Sequence, residues 1–153
     1  MNVSDPVRQA LLRLTVGDLA AEELPDLAAD ALTRGLDSPS LRMLAGARRG
    51  EYDENRRLFV AAMKELGVDA PPAGAAIREL VRFWASELVA GALTPYEGAR
   101  RIWWQGWETL GRPDELTVFV GLASQWEDHP GQRTEYERHI VTAARKLLAS
   151  CAT

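Results

Sequence analysis

The spacing of apolar residues predicts helices along almost the whole chain. Apolar positions recur at i, i+3, i+4 and i+7 in nearly every segment, and the alternation typical of a half-buried strand is almost absent. The clearest amphipathic helix has one apolar face, made of Ile77, Leu80, Val81, Trp84 and Leu88. Residues 117–120 alone have a strand-like composition, but they lie within a longer helical stripe that begins at Leu116. We therefore expect an all-α fold.

Proline, glycine and hydroxyl residues divide this pattern into about seven or eight short helices. Two segments have the pattern of a capping box, in which a hydroxyl and a carboxylate satisfy backbone N–H groups; they begin at Thr94 and Thr134. Other helix starts are predicted at Asp5, Pro25, Ser38 and Asp53.

The length of 153 residues favours a single helical domain over residues 1–153, folded as a compact bundle. Residues 68–74 are the predicted hinge, because Pro71-Pro72 forbids a helix there and Gly74 adds backbone freedom. The helix boundary at residues 32–39 returns 56 residues later, at residues 88–95. This repetition indicates either two related helical units or two independent uses of the same capping chemistry.

Composition and charge limit the cellular setting. The chain is 46% hydrophobic and 26% charged, with a net charge of −4, which is typical of a folded globular protein and opposes general binding to nucleic acid. No apolar run is long enough for a membrane span, and the N-terminal residues lack the layout of a secretory signal. Cys151 is the one cysteine, so neither an internal disulfide nor a multi-cysteine zinc site is expected. We expect a cytoplasmic protein without membrane contact.

The sequence lacks the local signatures of common enzymes. There is no glycine-rich phosphate loop, no paired-histidine zinc helix, no nucleophile elbow and no EF-hand loop. The acidic stretch Glu51–Glu54 has the spacing of a magnesium-dependent hydrolase, but its nearest acidic partner, Glu22-Glu23, does not match that spacing. Asp53 and Glu54 are better explained as a helix cap and a first-turn acid. We therefore lean against an enzyme and expect no cofactor.

Both histidines occur near the C-terminus and offer one alternative, a metal site. Glu135 and His139 share a helix face at i, i+4, and Asp128-His129 lies just upstream, so these four side chains could converge on a metal ion. The competing interpretation is that Glu135 and His139 form a surface helical pair and that His129-Pro130 is an ordinary turn before it, and we favour this interpretation.

A helix-turn-helix DNA-binding regulator is a second alternative, over residues 14–34. Its weakness is charge: Glu22, Glu23, Asp26 and Asp30 surround the would-be recognition helix, which leaves Arg34 as the cation able to approach phosphates. We therefore do not expect nucleic acid as a partner.

The tryptophans carry the leading functional prediction. On the helix opened by Thr94, Trp103 falls on the buried arc, whereas Trp104 projects to the side of Arg100, Arg101 and Glu108. Tryptophan beside arginine is typical of an interface hot spot, although another helix of the same chain could equally cover it. We predict an interaction surface made of Trp104, Arg100, Arg101 and Glu108.

A competing prediction is a small-molecule site inside the helices. Four tryptophans could line an apolar pocket, with Arg82 or Arg100 holding an acid group at its mouth. The four are Trp84, Trp103, Trp107 and Trp126.

The segment RGLDSPSLRMLAG, residues 34–46, resembles a segment of short, alanine- and arginine-rich helical proteins of actinobacteria that have no assigned activity. The resemblance implies a bacterial cytoplasmic protein. Taken with the absent catalytic motifs, it leads us to expect a non-enzymatic protein that acts as an adaptor, immunity-like or regulatory partner of another protein, or as a homo-oligomer.

Overall fold

The computed structural model describes residues 5–150, and these form eight α-helices. The helices are α1 (Pro6–Thr15), α2 (Leu24–Thr33), α3 (Pro39–Ala45), α4 (Tyr52–Glu65), α5 (Ala73–Ala90), α6 (Pro95–Arg101), α7 (Asp114–Asp128) and α8 (Arg133–Ser150). No strand occurs within residues 5–150, so the predicted all-α fold is confirmed. Cys151 lies outside the described residues. Among the described helices, none combines the length and the apolar character that crossing a membrane requires.

The chain divides into two units, Met1–Pro72 and Ala73–Thr153. The division falls within the predicted hinge, but Ala73 and Gly74 already belong to the first turn of α5. The connection without helix therefore covers residues 66–72, so it is as long as the predicted hinge but begins two residues earlier, directly after α4. The prediction of one domain with a hinge remains a prediction.

Unit 1 contains α1–α4 around a core of aliphatic side chains and one phenylalanine. Its fully buried large residues are Val7, Leu12, Leu24, Leu41, Leu44 and Phe59. Two polar contacts fix its loops. Glu65 accepts hydrogen bonds from the backbone N–H and the hydroxyl of Ser40 in the first turn of α3, and buried Asn55 donates from Nδ2 to the carbonyl of Arg48 over 2.8 Å.

Unit 2 contains α5–α8. The predicted stripe of α5 is buried, and Trp84 in it is only 4% exposed. Gly98 and the buried Gly106 face α5 so closely that a Cβ atom would lie 2.5 Å from Leu88 Cδ2 and 2.6 Å from Val81 Cγ2 respectively. Glycine at these two positions lets the polypeptide after Thr94 pack directly on α5.

Several predicted helix boundaries are confirmed by their hydrogen bonds. Asp5 accepts from the N–H of Val7 at 2.8 Å, Ser38 from Leu41 at 3.1 Å, and Thr94 from Glu97 at 3.3 Å. Each of these caps precedes a proline in the first turn. Side-chain oxygens thus satisfy N–H groups that a helix start leaves without partners.

Two predicted boundaries are wrong. Asp53 lies inside the first turn of α4 rather than at its cap, where Glu51 stands without a side-chain cap bond. Thr134 is the second residue of α8, because a short 3₁₀ turn, Pro130–Gln132, leads directly into that helix and takes the place of a capping box.

The helix boundary at residues 32–39 and its repeat at residues 88–95 have the same local structure. Gly35 and Gly91 follow α2 and α5 with φ values of 100° and 83°, and the hydroxyls of Ser38 and Thr94 cap the next helices. Positive φ is the conformation that glycine adopts at the end of a helix. One copy lies in each unit. That the units are related remains a prediction.

Candidate functional site

The segment after α6 is a π-helical turn, Ile102–Trp107, which contains three of the five tryptophans. Two hydrogen bonds span five residues: Glu108 N–H donates to the carbonyl of Trp103 at 3.1 Å, and Arg112 N–H to that of Trp107 at 2.8 Å. π-helical turns are rare and occur often at functional sites. The apolar spacing of this segment fits an ordinary α-helix equally well, so the sequence did not reveal the turn.

Trp104 is the exposed indole of the turn, with 55% of its surface accessible. Its ring stacks on that of half-buried Trp103, with 4.8 Å between ring centroids and 15° between planes. One face of Trp104 is therefore supported by Trp103 while much of the ring remains accessible within the described structure.

Two cations and one carboxylate lie beside this indole. A shallow depression of about 290 Å³ is lined by Glu97, Arg100, Arg101, Trp104 and Gln105. Arg100 and Arg101 are exposed and form no ion pair or hydrogen bond with any of residues 5–150. Glu108, predicted as part of the surface, instead pairs with Arg112 at 3.5 Å. We define the Trp104 surface as Arg100, Arg101, Trp103 and Trp104.

Trp126 belongs to a stack that joins three helices. Tyr96 of α6 lies parallel to its ring at 3.9 Å, and the guanidinium of Arg133 lies 3.8 Å from its ring centroid. Two groups this close must occupy opposite faces of the indole. Trp126 Nε1 also donates to Glu137 at 3.1 Å, so the whole side chain is engaged within unit 2.

Tyr96 donates its hydroxyl proton to Glu127 in the same cluster. This hydrogen bond to a carboxylate, with a smaller contribution from burial, raises the pKa of Tyr96 above its ordinary value. The sequence did not predict the cluster, because its members come from three separate helices.

The four tryptophans predicted to line a pocket lie in separate environments. Trp84 is buried in the α5 stripe, Trp103 stacks on Trp104, and Trp126 is enclosed by Tyr96 and Arg133. Trp107 donates from Nε1 to Thr117 at 3.1 Å beside the guanidinium of Arg112. The Trp-lined pocket remains a prediction.

The four residues of the metal alternative are not gathered as ligands. Within residues 5–150, no three His, Cys, Asp or Glu side chains are placed to hold a metal ion. Tyr136 separates the two imidazoles: ring centroids lie 6.0 Å from His129 and 6.4 Å from His139. His129 Nδ1 lies 3.1 Å from the carbonyl of Gln125, and Asp128 and Glu135 are exposed.

The acidic residues of unit 1 do meet in space. Glu22 lines the same depression, of about 770 Å³, as Glu51, Asp53 and Glu54. The sequence spacing did not indicate this proximity. These carboxylates are not placed to hold a metal ion, since no such group of side chains occurs within residues 5–150. Glu54 is paired with Arg57.

The would-be recognition helix of the DNA-binding alternative is α2, preceded by a 3₁₀ turn, Ala21–Glu23. Its cation, Arg34, contacts Asp30 at 3.0 Å and Asp5 at 3.3 Å. These two carboxylates neutralise the charge that would approach a phosphate.

An apolar groove between α7 and α8 is a large feature of unit 2 that the sequence did not indicate. It has a volume of about 610 Å³, and its walls include Val118, Leu122, His139, Ala143, Lys146 and Leu147. An adjoining cavity of about 270 Å³ shares Glu115 and Leu147 with it and adds Arg78 and Arg82 of α5. We call these two cavities together the α7–α8 groove.

Fold and site define an all-α protein with a pair of stacked indoles, of which Trp104 is exposed beside two arginines. Comparison of the chain with models of protein families, with characterised proteins and with solved structures finds no match.

Proposed function

We propose that this protein acts by binding another protein through the Trp104 surface. The observation that carries the proposal is Trp104 itself, 55% exposed beside two arginines that form no ion pair within residues 5–150. Covering the free part of an indole removes about 100 Å² of apolar surface from water, worth about 2–3 kcal/mol. Tryptophan and arginine are the residues most enriched in the energetic centres of interfaces.

The charges of the surface support a partner that presents carboxylates. Arg100 and Arg101 supply two fixed cations on a chain whose net charge is −4. A carboxylate can receive two parallel hydrogen bonds from one guanidinium, and an apolar side chain beside it would cover Trp104. A second copy of this acidic chain meets the same description, so self-association is one form of the proposal.

The stacked rings of the π-helical turn also support the proposal. Trp103 and Trp104 are neighbours in sequence, and the stacked pair of rings forms a rigid apolar plate at the surface. A rigid aromatic anchor loses little conformational entropy on binding.

A bacterial and cytoplasmic setting is part of the proposal, supported by the resemblance of residues 34–46 and by the single cysteine.

The proposal is tested by photo-cross-linking in cells that express the chain naturally. p-Benzoylphenylalanine is placed at position 104, and, as a matched control, at position 52, since Tyr52 is an aromatic residue of unit 1 that is 51% exposed. We expect a discrete cross-linked species from position 104 and none of the same mass from position 52.

A second variant tests whether the cross-link at position 104 comes from a specific partner or from a position that reacts with any nearby protein. Arg100→Gln combined with Arg101→Gln should reduce the yield of the cross-link at position 104 by about tenfold, because the charge-assisted hydrogen bonds are lost. A cross-link from both positions, or one that is insensitive to the arginine substitutions, would contradict the proposal. Analytical ultracentrifugation then assigns the species to a second copy or to a different protein.

A further inference from the structure

The α7–α8 groove combines an apolar floor with a cationic end. Val118 and Leu122 lie one turn apart on α7, and Ala143 and Leu147 lie one turn apart on α8. The larger of its two cavities has a volume of about 610 Å³, in the range of about 300–1,000 Å³ that small-molecule sites occupy. From His139 to Ser150 the wall formed by α8 extends over about 16 Å.

The ionic groups of the groove are predominantly positive. The two cavities are lined by three cations, Arg78, Arg82 and Lys146, and by one carboxylate, Glu115. Glu115 pairs with Arg78 at 3.5 Å. Lys146 and Arg82 form no ion pair or hydrogen bond within residues 5–150. The chain as a whole has a net charge of −4, so this local excess of cations opposes the overall charge.

These cations are concentrated toward one end of the apolar wall. Lys146 precedes Leu147, one of the two residues that the cavities share, and Arg82 lines the second cavity beside Leu147. The other shared residue is Glu115, whose charge is offset by its ion pair with Arg78. His139 lies at the opposite end of the wall, about 10 Å along α8 from Lys146. A ligand with a negative head and an aliphatic tail matches this polarity along the groove.

We propose that the α7–α8 groove binds an aliphatic carboxylate, with the carboxylate between Lys146 and Arg82 and the chain along Val118, Leu122 and Ala143. The apolar tail contributes by leaving water, and the head group by a charge-assisted hydrogen bond to an ammonium that has no other partner in the described structure. This site is independent of the Trp104 surface, because the two share no lining residue.

The test uses dodecanoate below its critical micelle concentration. The chain has two lysines, Lys64 on α4 and Lys146 in the groove. Reductive ¹³C-methylation retains their charge and gives each a separate NMR signal. We expect the Lys146 signal to move saturably with dodecanoate while the Lys64 signal stays fixed. Dodecyltrimethylammonium, with the opposite charge, and acetate, without a tail, should each bind at least about tenfold more weakly.

Two matched pairs of variants complete the test, read out by calorimetric titration with dodecanoate. Lys146→Gln should raise the Kd about tenfold, and Lys64→Gln should leave it unchanged. Val118→Glu places a carboxylate on the groove wall and should abolish binding, whereas Val60→Glu, at a position of similar exposure on unit 1, should not. Val118 is 45% exposed, so its substitution spares the core.

The proposal is overturned if the cationic amphiphile binds as well as dodecanoate, if both lysine signals move together, or if Lys146→Gln and Lys64→Gln have equal effects. Absence of saturable binding below the micelle concentration would also overturn it. Trp104→Ala should leave the Kd for dodecanoate unchanged, which separates this result from that of the protein-binding proposal.

Discussion

At the scale of single residues, the tryptophans of unit 2 have different surroundings and different roles. Trp84 is 4% exposed and fills the core of unit 2, and Trp126 is enclosed between Tyr96 and Arg133. Trp104 keeps 55% of its surface accessible and stacks on Trp103. Helical spacing placed Trp104 away from the buried arc of its own helix, because that direction depends on local geometry alone, but it left open whether another helix covers the ring. It did not predict the stack around Trp126, which depends on how separate helices meet.

The difference between Trp104 and Trp84 gives the first prediction. Trp104→Ala should lower the free energy of unfolding by less than about 1 kcal/mol, the value of a lost aromatic contact. Trp84→Ala should lower it by about 3–5 kcal/mol, because it leaves a large cavity. Urea unfolding measures both. A loss of several kcal/mol for Trp104→Ala would show that the side chain belongs to the core.

Glu65 gives a prediction about pH. Its hydrogen bonds from the hydroxyl and the N–H of Ser40 hold the pKa of Glu65 below its ordinary value of 4.5. A lowered pKa in the folded state means that the carboxylate stabilises the protein above pH 4.5 and that this contribution disappears as the pH falls further. Glu65→Gln should therefore be less stable than the parent at pH 7, and the difference should shrink in acid.

Chemical unfolding at a series of pH values measures this difference. Glu22→Gln is the control, since Glu22 is exposed and accepts no hydrogen bond from the described residues. A stability difference for Glu65→Gln that stays constant from about pH 7 to about pH 3 would contradict the assignment.

At the scale of elements, the structure separates what local sequence determines from what it does not. The starts at Asp5, Ser38 and Thr94 were predicted correctly, because a cap is formed by residues within one turn of each other. The start of α8 was predicted wrongly, because the 3₁₀ turn before it produces no distinct pattern. The π-helical turn was missed for the same reason: it preserves the apolar spacing while changing the hydrogen bonds.

Glycines on α6, the π-helical turn and α7 give a prediction about close packing. Gly98→Ala places a Cβ 3.0 Å from Leu88 Cβ and 2.5 Å from its Cδ2, and should destabilise the protein by about 1–3 kcal/mol. Gly106→Ala should act similarly through Val81. Gly121→Ala on α7, where nothing lies within 4 Å, should instead stabilise by about 0.5–1 kcal/mol. Thermal unfolding ranks the three variants, and equal effects would contradict the described packing.

At the scale of the whole molecule, the surfaces of interest consist of residues that the sequence separates. The α7–α8 groove brings together Arg82, Val118 and Lys146, and the acidic depression of unit 1 brings Glu22 beside Glu51. Periodicity predicts which face of a helix is apolar but not which helix lies opposite. Helical spacing placed Trp104 beside Arg100 and Arg101 because the three lie close together in one segment, but it put Trp103 on the buried arc and did not predict its stack with Trp104. None of the groove was predicted.

The connection between the units gives a prediction for the full chain. The last backbone hydrogen bond after α4 is from Val68 to Met63, and residues 69–72 lie beyond it, before α5 begins. The loop at residues 46–51, by contrast, is held by Asn55. Proteinase K should therefore cut first within residues 69–72, as mass spectrometry of early fragments would show. First cuts inside the 46–51 loop would contradict this order.

The central claim is that the folded protein presents Trp104 to solvent for a partner while its other indoles are packed. Labelling with 5-fluorotryptophan gives five ¹⁹F signals, which single Trp→Phe variants assign. We predict that a soluble paramagnetic agent broadens the Trp104 signal most and the Trp84 signal least, and that the partner captured at position 104 restores the Trp104 signal alone. A Trp104 signal as protected as that of Trp84 in the free protein would contradict the account.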